Sequence, residues 1–327
     1  MKALVTGASG FTGGYLVENL IQHAYDVRAL VRPESHIEKL KKLGIEFCFG
    51  DIRNKEEVEN AVQGVDIVFH IAALFRTAGI PNSAYWDVNV IGTENILEAA
   101  LKHGVKRVVH CSTGGVHGNI ENPPATEDIP YKPADIYQET KAEGEKLALH
   151  YHREKGLSVS IVRPTGIHGP GDFRMLKMYR LIQKKRFITL GSGNTLYHLT
   201  YVTDLVDGIR LAGEKVIADG QIYFLAGEKY ITLNQFVGMV ADELGVPRPR
   251  LHFPVFPVYT LGFLCEKFCV LFRIEPPIYR RRVDFFTQNH AFDISKAKQD
   301  LGYQPKVSAE QGIQWTKKWY QDNGYLE

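Results

Sequence analysis

A chain of 327 residues with 44% hydrophobic and 23% charged side chains has the composition of a globular protein that can bury an ample core. Its formal net charge of +2 provides no general attraction to nucleic acid, so we expect no nucleic-acid partner. The four cysteines form no metal-ligand pattern with histidines, and we expect no metal site. Because the first predicted strand begins at Lys2 and leaves no room for a targeting segment, the cytoplasm is the expected location.

The first predicted element is a short buried strand over 2–6, which runs directly into a glycine-rich loop and then into a helix. In this order of elements Gly7 permits a tight turn, Gly10 lets the backbone approach a pyrophosphate, and Gly13 lets the helix pack closely on the strand. The amides at the start of the helix would then face the phosphates. A glycine loop often only makes a turn, but the strand before it and the helix after it favour a dinucleotide site.

Short apolar segments and helical segments then alternate, which predicts parallel β-α units. We place strands near 2–6, 26–31, 45–49, 66–71, 107–112 and 158–163, and helices near 13–23, 54–62, 84–103, 134–155 and 172–185. The predicted fold class is α/β, a Rossmann-type doubly wound parallel sheet, which binds ligands outside the carboxyl ends of its strands. This rule brings together the residues that follow the third, fourth and fifth strands, namely Asp51, Ala72, Ala73, Ser112 and Thr113.

From about residue 165 the pattern becomes irregular, with turn signals at 169–171 and 191–193. We therefore divide the chain into a dinucleotide-binding domain over 1–165, which later segments complete, and a smaller C-terminal substrate lobe over 166–327.

The segment 253–272 is very apolar, but Glu266 and Lys267 interrupt it and make it a poor transmembrane span. A helix packed against the core is the favoured interpretation. Peripheral contact with a membrane or with a lipid substrate is the alternative.

Tyr137 and Lys141 are the predicted catalytic pair. Positions i and i+4 share one face of a helix, so the ammonium can lie close to the phenol. A nearby positive charge favours the phenolate and moves the pKa of a tyrosine from about 10 toward working pH. The same spacing occurs by chance on solvated helices. Behind a nucleotide-binding loop, with the hydroxyls of Ser112 and Thr113 available to polarise a carbonyl, it favours general acid/base catalysis.

These motifs resemble the extended short-chain dehydrogenase/reductase family, which includes the NAD-dependent epimerase/dehydratase proteins. The resemblance covers nearly the whole chain. It rests on Thr6–Gly13, Gly50–Ile52, His70–Ala73, Asn89–Thr93, Ser112–Gly118, Tyr137–Lys141, Arg163–Pro164 and Ser295–Pro305. The resemblance implies an NAD(P)-dependent enzyme that transfers a hydride and forms a homodimer.

The same resemblance implies roles for individual residues. Tyr137 would exchange the proton of the reacting hydroxyl, Lys141 would lower the pKa of Tyr137 and hold the nicotinamide ribose, and Thr113 would hydrogen-bond the reacting oxygen. Asn89 would complete the catalytic tetrad, with a helix cap or an interior amide as its alternative. Asp51 and Ile52 would contact the adenine, and Asp51 could otherwise cap the next helix. The expected dinucleotide contacts are Gly7, Gly10, Phe11, Thr12, Gly13, Arg32, Asp51, Ile52, Ala72, Ala73, Lys141 and Pro164.

The end of the second predicted strand bears on the choice of cofactor. An NAD-preferring enzyme usually has a carboxylate there, which binds the ribose 2′-hydroxyl. This strand instead ends at Val31 and is followed by Arg32, which suits a 2′-phosphate. We therefore expect NADP(H), with NAD(H) as the alternative if Arg32 is only a solvated loop residue.

The substrate is predicted only by resemblance. Family members that act on nucleotide sugars have an asparagine and an arginine at the positions of Gly166 and Tyr197, and only an arginine near Arg282 remains of their diphosphate anchors. The family's 4,6-dehydratases carry an Asp-Glu pair after the active-site threonine, where this chain has Gly114 and Gly115, so dehydration is disfavoured.

The second half is similar to the 3β-hydroxysteroid and sterol 4-carboxylate dehydrogenases, through Arg163–Asp172, the apolar segment 253–272 and the spacing from Arg282 to Asp293. We therefore expect an apolar alcohol or ketone as substrate. A nucleotide-sugar epimerase with tightly held NAD is the alternative, and an inactive nucleotide-sensing protein is a third hypothesis. The candidate substrate contacts are Thr113, Gly166, His168, Tyr197 and Arg282.

Overall fold

The computed structural model describes residues 1–77, 79–261 and 280–327, with the side chains of 280–282 left out of the description. Part of the apolar segment 253–272 and the side chain of Arg282 therefore lie outside the described residues.

The described strands are β1 (Lys2–Thr6), β2 (Asp26–Val31), β3 (Glu46–Phe49), β4 (Ile67–His70), β5 (Arg107–Cys111), β6 (Val159–Pro164), β7 (Gly166–His168), β8 (Thr189–Leu190), β9 (Leu196–Tyr197), β10 (Leu199–Tyr201), β11 (Ile222–Leu225), β12 (Ile231–Thr232) and β13 (His252–Phe253).

The described α-helices are α1 (Phe11–Gln22), α2 (Glu38–Lys41), α3 (Lys55–Val62), α4 (Asn82–Trp86), α5 (Gly92–Lys102), α6 (Ile136–Lys155), α7 (Leu176–Gln183), α8 (Val202–Glu214), α9 (Leu233–Glu243), α10 (Arg280–Thr287) and α11 (Ala309–Asp322). A π-helical turn over Asp87–Ile91 joins α4 to α5, and short 3₁₀ and π turns cover Gly114–His117, Val216–Ala218 and Ala297–Leu301.

Seven strands form one parallel sheet in the order β11-β6-β5-β4-β1-β2-β3. The strand order reverses between β1 and β4, which is the switch point where such sheets bind ligands. The predicted Rossmann-type α/β fold is confirmed. The first six strands of this sheet lie within one or two residues of the segments predicted from the apolar pattern.

Helices cover both faces of this sheet, as the near-continuous apolar sequence of its strands requires. On one face α1 and α8 pack through side chains such as Leu16 and Ile209. On the other face α3, α5 and α6 bury residues such as Val58, Leu97 and Ala148. The sheet is thereby held as a rigid platform for the strand ends.

A buried ion pair ties α6 to β6. The guanidinium of Arg163 and the carboxylate of Glu145 are both almost completely buried and are joined by several hydrogen bonds. Tyr131 donates to the same carboxylate at 2.7 Å, and Arg163 also donates to the backbone carbonyl of Glu127 at 2.9 Å. This network gives Arg163, in the Arg-Pro motif, a structural function and holds α6 against the sheet.

The second half builds a separate apolar cluster. Helices α7, α9 and α11 pack together around Ile182, Phe236 and Tyr320. The same half of the chain contains small two-stranded sheets, which pair β10 with β7, β12 with β9, and β13 with β8. Within the described residues, no helix combines the length and the apolar character needed to cross a membrane.

Candidate active site

A cavity of about 1020 Å³ opens at the carboxyl ends of the central strands, around the switch point between β1 and β4. It brings together residues that are far apart in the sequence. The predicted site residues that line it are Gly7, Gly10, Phe11, Thr12, Gly13, Arg32, Asp51, Ile52, Ala72, Ala73, Ser112, Thr113, Tyr137, Lys141, Pro164, Gly166 and Tyr197.

One end of the cavity is the glycine loop between β1 and α1. Gly7 has a φ of +73°, and a Cβ there would come within 2.8 Å of the backbone nitrogen of Ala72. A Cβ at Gly13 would overlap the carbonyl oxygen of Gly7. No side chain caps the start of α1, which follows Gly10, and its first turn has no acidic residue. The loop therefore fits a dinucleotide pyrophosphate, because it presents free backbone amides in a cradle that side chains would fill.

Beyond the cradle, charged side chains surround the position expected for the adenosine. Arg32 is exposed and forms an ion pair with Glu34 at 3.2 Å. The guanidinium of Arg53 donates to both carboxylate oxygens of Asp51, which lowers the pKa of that carboxyl. Asn54, not Asp51, caps α3. The alternative structural role for Asp51 is therefore wrong, and Arg53 joins the cavity wall unpredicted.

The opposite end contains Tyr137, in the first turn of α6. The helix begins there because the side chain of Asp135 caps it, accepting a hydrogen bond from the backbone nitrogen of Gln138 at 2.9 Å. The ring of Phe75 meets the Tyr137 ring edge to face at 5.0 Å, and the guanidinium carbon of Arg76 lies 5.7 Å from the Tyr137 ring centroid. These contacts fix the plane of the phenol.

The protonation state of Tyr137 beside Lys141 differs from the one that the sequence pattern suggests. Desolvation raises the pKa of Tyr137, and the positive charges of Arg76 and Arg174 only partly oppose it. Lys141 is 1% exposed, and the same desolvation lowers its pKa. Burial thus keeps the phenol protonated, where the sequence pattern alone suggested a tyrosine with a lowered pKa.

Two hydroxyls follow β5 on the cavity wall. Thr113 Oγ1 accepts a hydrogen bond from the backbone nitrogen of Gly115 at 3.1 Å, so its own proton is available to a ligand. Ser112 Oγ is buried and has no partner among the described residues. A buried hydroxyl without a partner is costly, and an oxygen of a bound ligand would satisfy it.

Among the predicted residues with described side chains, Asn89 and His168 do not line the cavity. Asn89 is an interior amide, which binds both the backbone nitrogen and the carbonyl of Leu74 and so holds the loop after β4. His168 is 3% exposed and packs against Tyr201 behind the cavity wall, so the structure does not support it as a substrate contact. Arg282 lies outside the described side chains.

The cavity also contains residues that sequence reasoning missed. Arg76, Arg174 and His290 line it, together with Asp284 and Phe285 from α10. None belongs to a motif with fixed spacing, and the only signal, for the residues other than Phe285, was a titratable side chain outside the recognised motifs. His290 is a neutral imidazole, because burial and the charge of Arg76 lower its pKa to about 4.

Known proteins match this architecture over most of the chain. The family model described as "NAD dependent epimerase/dehydratase family" matches residues 3–226. The chain is 32% identical to the 3beta-hydroxysteroid-dehydrogenase/decarboxylase isoform 1 of Arabidopsis thaliana, over 96% of this chain and 78% of that protein. It is 31% identical to the 2-alkyl-3-oxoalkanoate reductase of Stenotrophomonas maltophilia, over 97% of this chain and 98% of that protein.

A solved structure shares the fold in full. The dTDP-glucose 4,6-dehydratase DesIV of Streptomyces venezuelae, solved with NAD bound, aligns with a TM-score of 0.79 and 28% identity, over 100% of this chain and 99% of that one. With the fold, the dinucleotide cradle and these matches in agreement, the chain belongs to the NAD-dependent epimerase/dehydratase family of extended short-chain dehydrogenases/reductases, and it is an NAD(P)-dependent oxidoreductase or epimerase.

Proposed function

We propose that the protein interconverts a secondary alcohol and a ketone on an apolar small molecule, releasing and rebinding its dinucleotide in every turnover. One observation carries this proposal: Tyr137, Thr113 and the glycine cradle line a single cavity. The names of the two relatives support it, since one is a hydroxysteroid dehydrogenase and the other reduces a 3-oxoalkanoate.

In the direction of reduction, the protonated phenol of Tyr137 donates its proton to the ketone oxygen. The hydroxyl of Thr113 donates a hydrogen bond to the same oxygen and orients it. A bound nicotinamide supplies the hydride in this direction and accepts it in the other. In the direction of oxidation, Tyr137 must first give its proton to solvent to become the base, and the family resemblance assigns to Lys141 the role of favouring that loss.

The cavity wall supports an apolar substrate over a nucleotide sugar. Tyr197 stands where sugar-nucleotide enzymes would have an arginine, and its hydroxyl donates to the carbonyl of Phe285, so it is engaged within the protein. Gly166 has no side chain to offer a diphosphate. Apolar groups such as Met175 and Phe292 line the same region.

Incubation of the protein with either dinucleotide, and with apolar alcohols or a nucleotide sugar, tests which of the two substrate classes it accepts. We expect absorbance of reduced cofactor to appear with 3-hydroxy acids or 3β-hydroxysterols. With UDP-glucose we expect no UDP-galactose. Formation of UDP-galactose, together with no oxidation of any apolar alcohol, would show that the protein is an epimerase.

We propose further that NADP(H) is the preferred dinucleotide, with Arg32 binding the 2′-phosphate. Arg32 lies on the cavity wall at the end of β2, and Ser35 and Arg53 line the same region. These donors suit a phosphate, although Arg32 has to exchange its exposed partner Glu34 for it.

Arg32→Glu should weaken NADPH binding about 10- to 100-fold, as expected for loss of a charge-assisted hydrogen bond. NADH binding should stay the same or tighten, since a carboxylate at this position suits the ribose 2′-hydroxyl. Calorimetry on the purified protein measures both affinities. Arg153→Glu, an equal charge reversal on the exposed end of α6, is the control. An unchanged preference between NADPH and NADH in Arg32→Glu would show that Arg32 is a solvated loop residue.

The family resemblance also underlies the proposal that the protein is a homodimer. The cytoplasmic location stays a prediction. Contact with a membrane or lipid through 253–272 stays a prediction. In the described part of that segment, Phe256 and Leu261 are exposed.

A further inference from the structure

Arg76 is a cationic side chain beside the catalytic tyrosine, in the loop between β4 and α4. Its Nε donates to Oδ2 of Asp135 at 2.7 Å. Its guanidinium carbon lies 5.9 Å from the ring centroid of Phe75 and 5.7 Å from that of Tyr137. In the part of the chain that the structure describes, the terminal Nη1 and Nη2 atoms have no hydrogen-bond partner. Arg76 therefore presents unused donors at the cavity wall.

Arg174, the other arginine close to Tyr137, differs from Arg76 in its position and in the use of its terminal donors. Its Nε is bound to the buried carboxylate of Asp172 at 2.7 Å, and its Nη2 donates to the carbonyl of Ile167 at 2.8 Å. Its guanidinium lies 5.6 Å from the ring of Phe11, the first residue of α1. Arg174 thus lies toward the dinucleotide cradle, and among its side-chain donors both Nε and Nη2 are already used by the protein.

Arg76 faces the other part of the cavity. Its charge lowers the pKa of both Tyr137 and His290. His290 follows α10, so Arg76 lies between the catalytic phenol and the C-terminal lobe. A ligand group that meets Arg76 is therefore part of the substrate and is attached close to the reacting carbon.

The hydrogen-bonding capacity of Arg76 is only partly used by its ion pair with Asp135. Asp135 offers one oxygen to Arg76, while its other oxygen caps α6. A guanidinium with two free amino groups matches a carboxylate, which can accept two parallel hydrogen bonds. In a 3-hydroxy or 3-oxo carboxylate, a single carbon atom separates the reacting carbon from the carboxylate. One such molecule can therefore contact Tyr137 and Arg76 together.

We propose that Arg76 is a specificity-determining residue that binds a carboxylate next to the reacting carbon, so that the enzyme selects hydroxy or oxo acids over their neutral analogues. This inference rests on the proposed alcohol and ketone chemistry of the same cavity. In this reaction Arg76 binds the substrate, and Tyr137 transfers the proton.

A pair of probes that differ only in charge tests the inference. The substrates are 3-hydroxydecanoate and its methyl ester, each oxidised with NADP⁺ or NAD⁺, and the readout is kcat/KM. Arg76→Gln should reduce kcat/KM for the acid about 10- to 100-fold more than kcat/KM for the ester. Arg76→Lys, which keeps the charge but loses the planar fork, should recover part of the activity on the acid.

Asp135→Asn is the matched control. Asparagine still caps α6, but it no longer forms an ion pair with Arg76. If the arginine serves only to fasten the loop to the helix, Asp135→Asn and Arg76→Gln will reduce turnover of acid and ester alike, and the inference is wrong. A loss confined to the acid in Arg174→Gln, with Arg76→Gln unaffected, would also overturn it.

A binding measurement separates this inference from the proposed function. If the wild-type protein oxidises neither probe, the proposed reaction fails for this class of substrate. Calorimetric titration with decanoate and methyl decanoate then decides the role of Arg76. Preference for decanoate that Arg76→Gln removes supports the carboxylate site, and equal binding of both compounds overturns it.

Discussion

Tyr137→Phe is expected to reduce turnover about 10²- to 10⁴-fold, the typical contribution of a positioned general acid or base. The substitution removes the hydroxyl and keeps the ring, which packs against Phe75 and Arg76. The glycine loop lies at the other end of the cavity, so binding of the dinucleotide should not change. Steady-state kinetics and a fluorescence titration with the reduced dinucleotide measure the two quantities.

Tyr25→Phe is the control for loss of a tyrosine hydroxyl outside the cavity. Its hydroxyl donates to Glu214 at 3.0 Å, between α1 and α8. This variant should turn over substrate at the wild-type rate. Full activity in Tyr137→Phe would refute the assigned proton transfer. Equal losses of activity and of dinucleotide binding would show that the phenol organises the site without taking part in the chemistry.

Glu145→Ala is expected to lower the free energy of unfolding by about 3–5 kcal/mol, as found when one partner of a buried ion pair is removed. The guanidinium of Arg163 would then remain buried between the rings of Tyr131 and Phe224 without its carboxylate. Denaturation in urea, followed by circular dichroism, measures the loss. Because α6 carries Tyr137, activity should fall at temperatures where the variant begins to unfold.

Glu145→Gln tests the charge separately from the hydrogen bonds. The amide oxygen of glutamine can still accept from Arg163, so this variant should be less destabilised than Glu145→Ala. Glu143→Ala, which removes an exposed partner of Lys146 on the same helix, should change stability little. If Glu145→Ala costs no more than Glu143→Ala, the buried pair does not stabilise the link between α6 and β6.

The first half of the fold could be predicted because its signals are local. Apolar runs bounded by glycine or polar residues locate β1 to β6 within one or two residues. The predicted start of a helix at residue 172 was less accurate, since α7 begins at Leu176. Asp172 accepts hydrogen bonds from the backbone and the side chain of Arg174, and this turn delays the helix. Strand β11 was not predicted, because its short apolar run lies in a region with many turn signals.

The residues of the candidate site likewise divide into those that the sequence predicts and those that it does not. The glycine loop, Tyr137 and Thr113 are visible in the sequence because the chemistry needs fixed residue types at fixed spacing. Arg76 and His290 are not visible, since they meet only after the loop following β4 and the segment following α10 reach the same cavity. His168 does not line the cavity, and the sequence could not show this because a motif position does not reveal which way a side chain points. Its ring packs against Tyr201 of β10.

The central claim is that each turnover makes one hydride transfer with an exchangeable NADP(H). The dinucleotide that the protein carries through purification tests this claim most directly. The protein is purified without added nucleotide and denatured, and any released dinucleotide is identified by mass. We predict a site without stoichiometric nucleotide that then binds NADPH much more tightly than NADH. Stoichiometric NAD(H) that survives purification would contradict this account and would indicate an epimerase, which returns the hydride to its own substrate and keeps its cofactor.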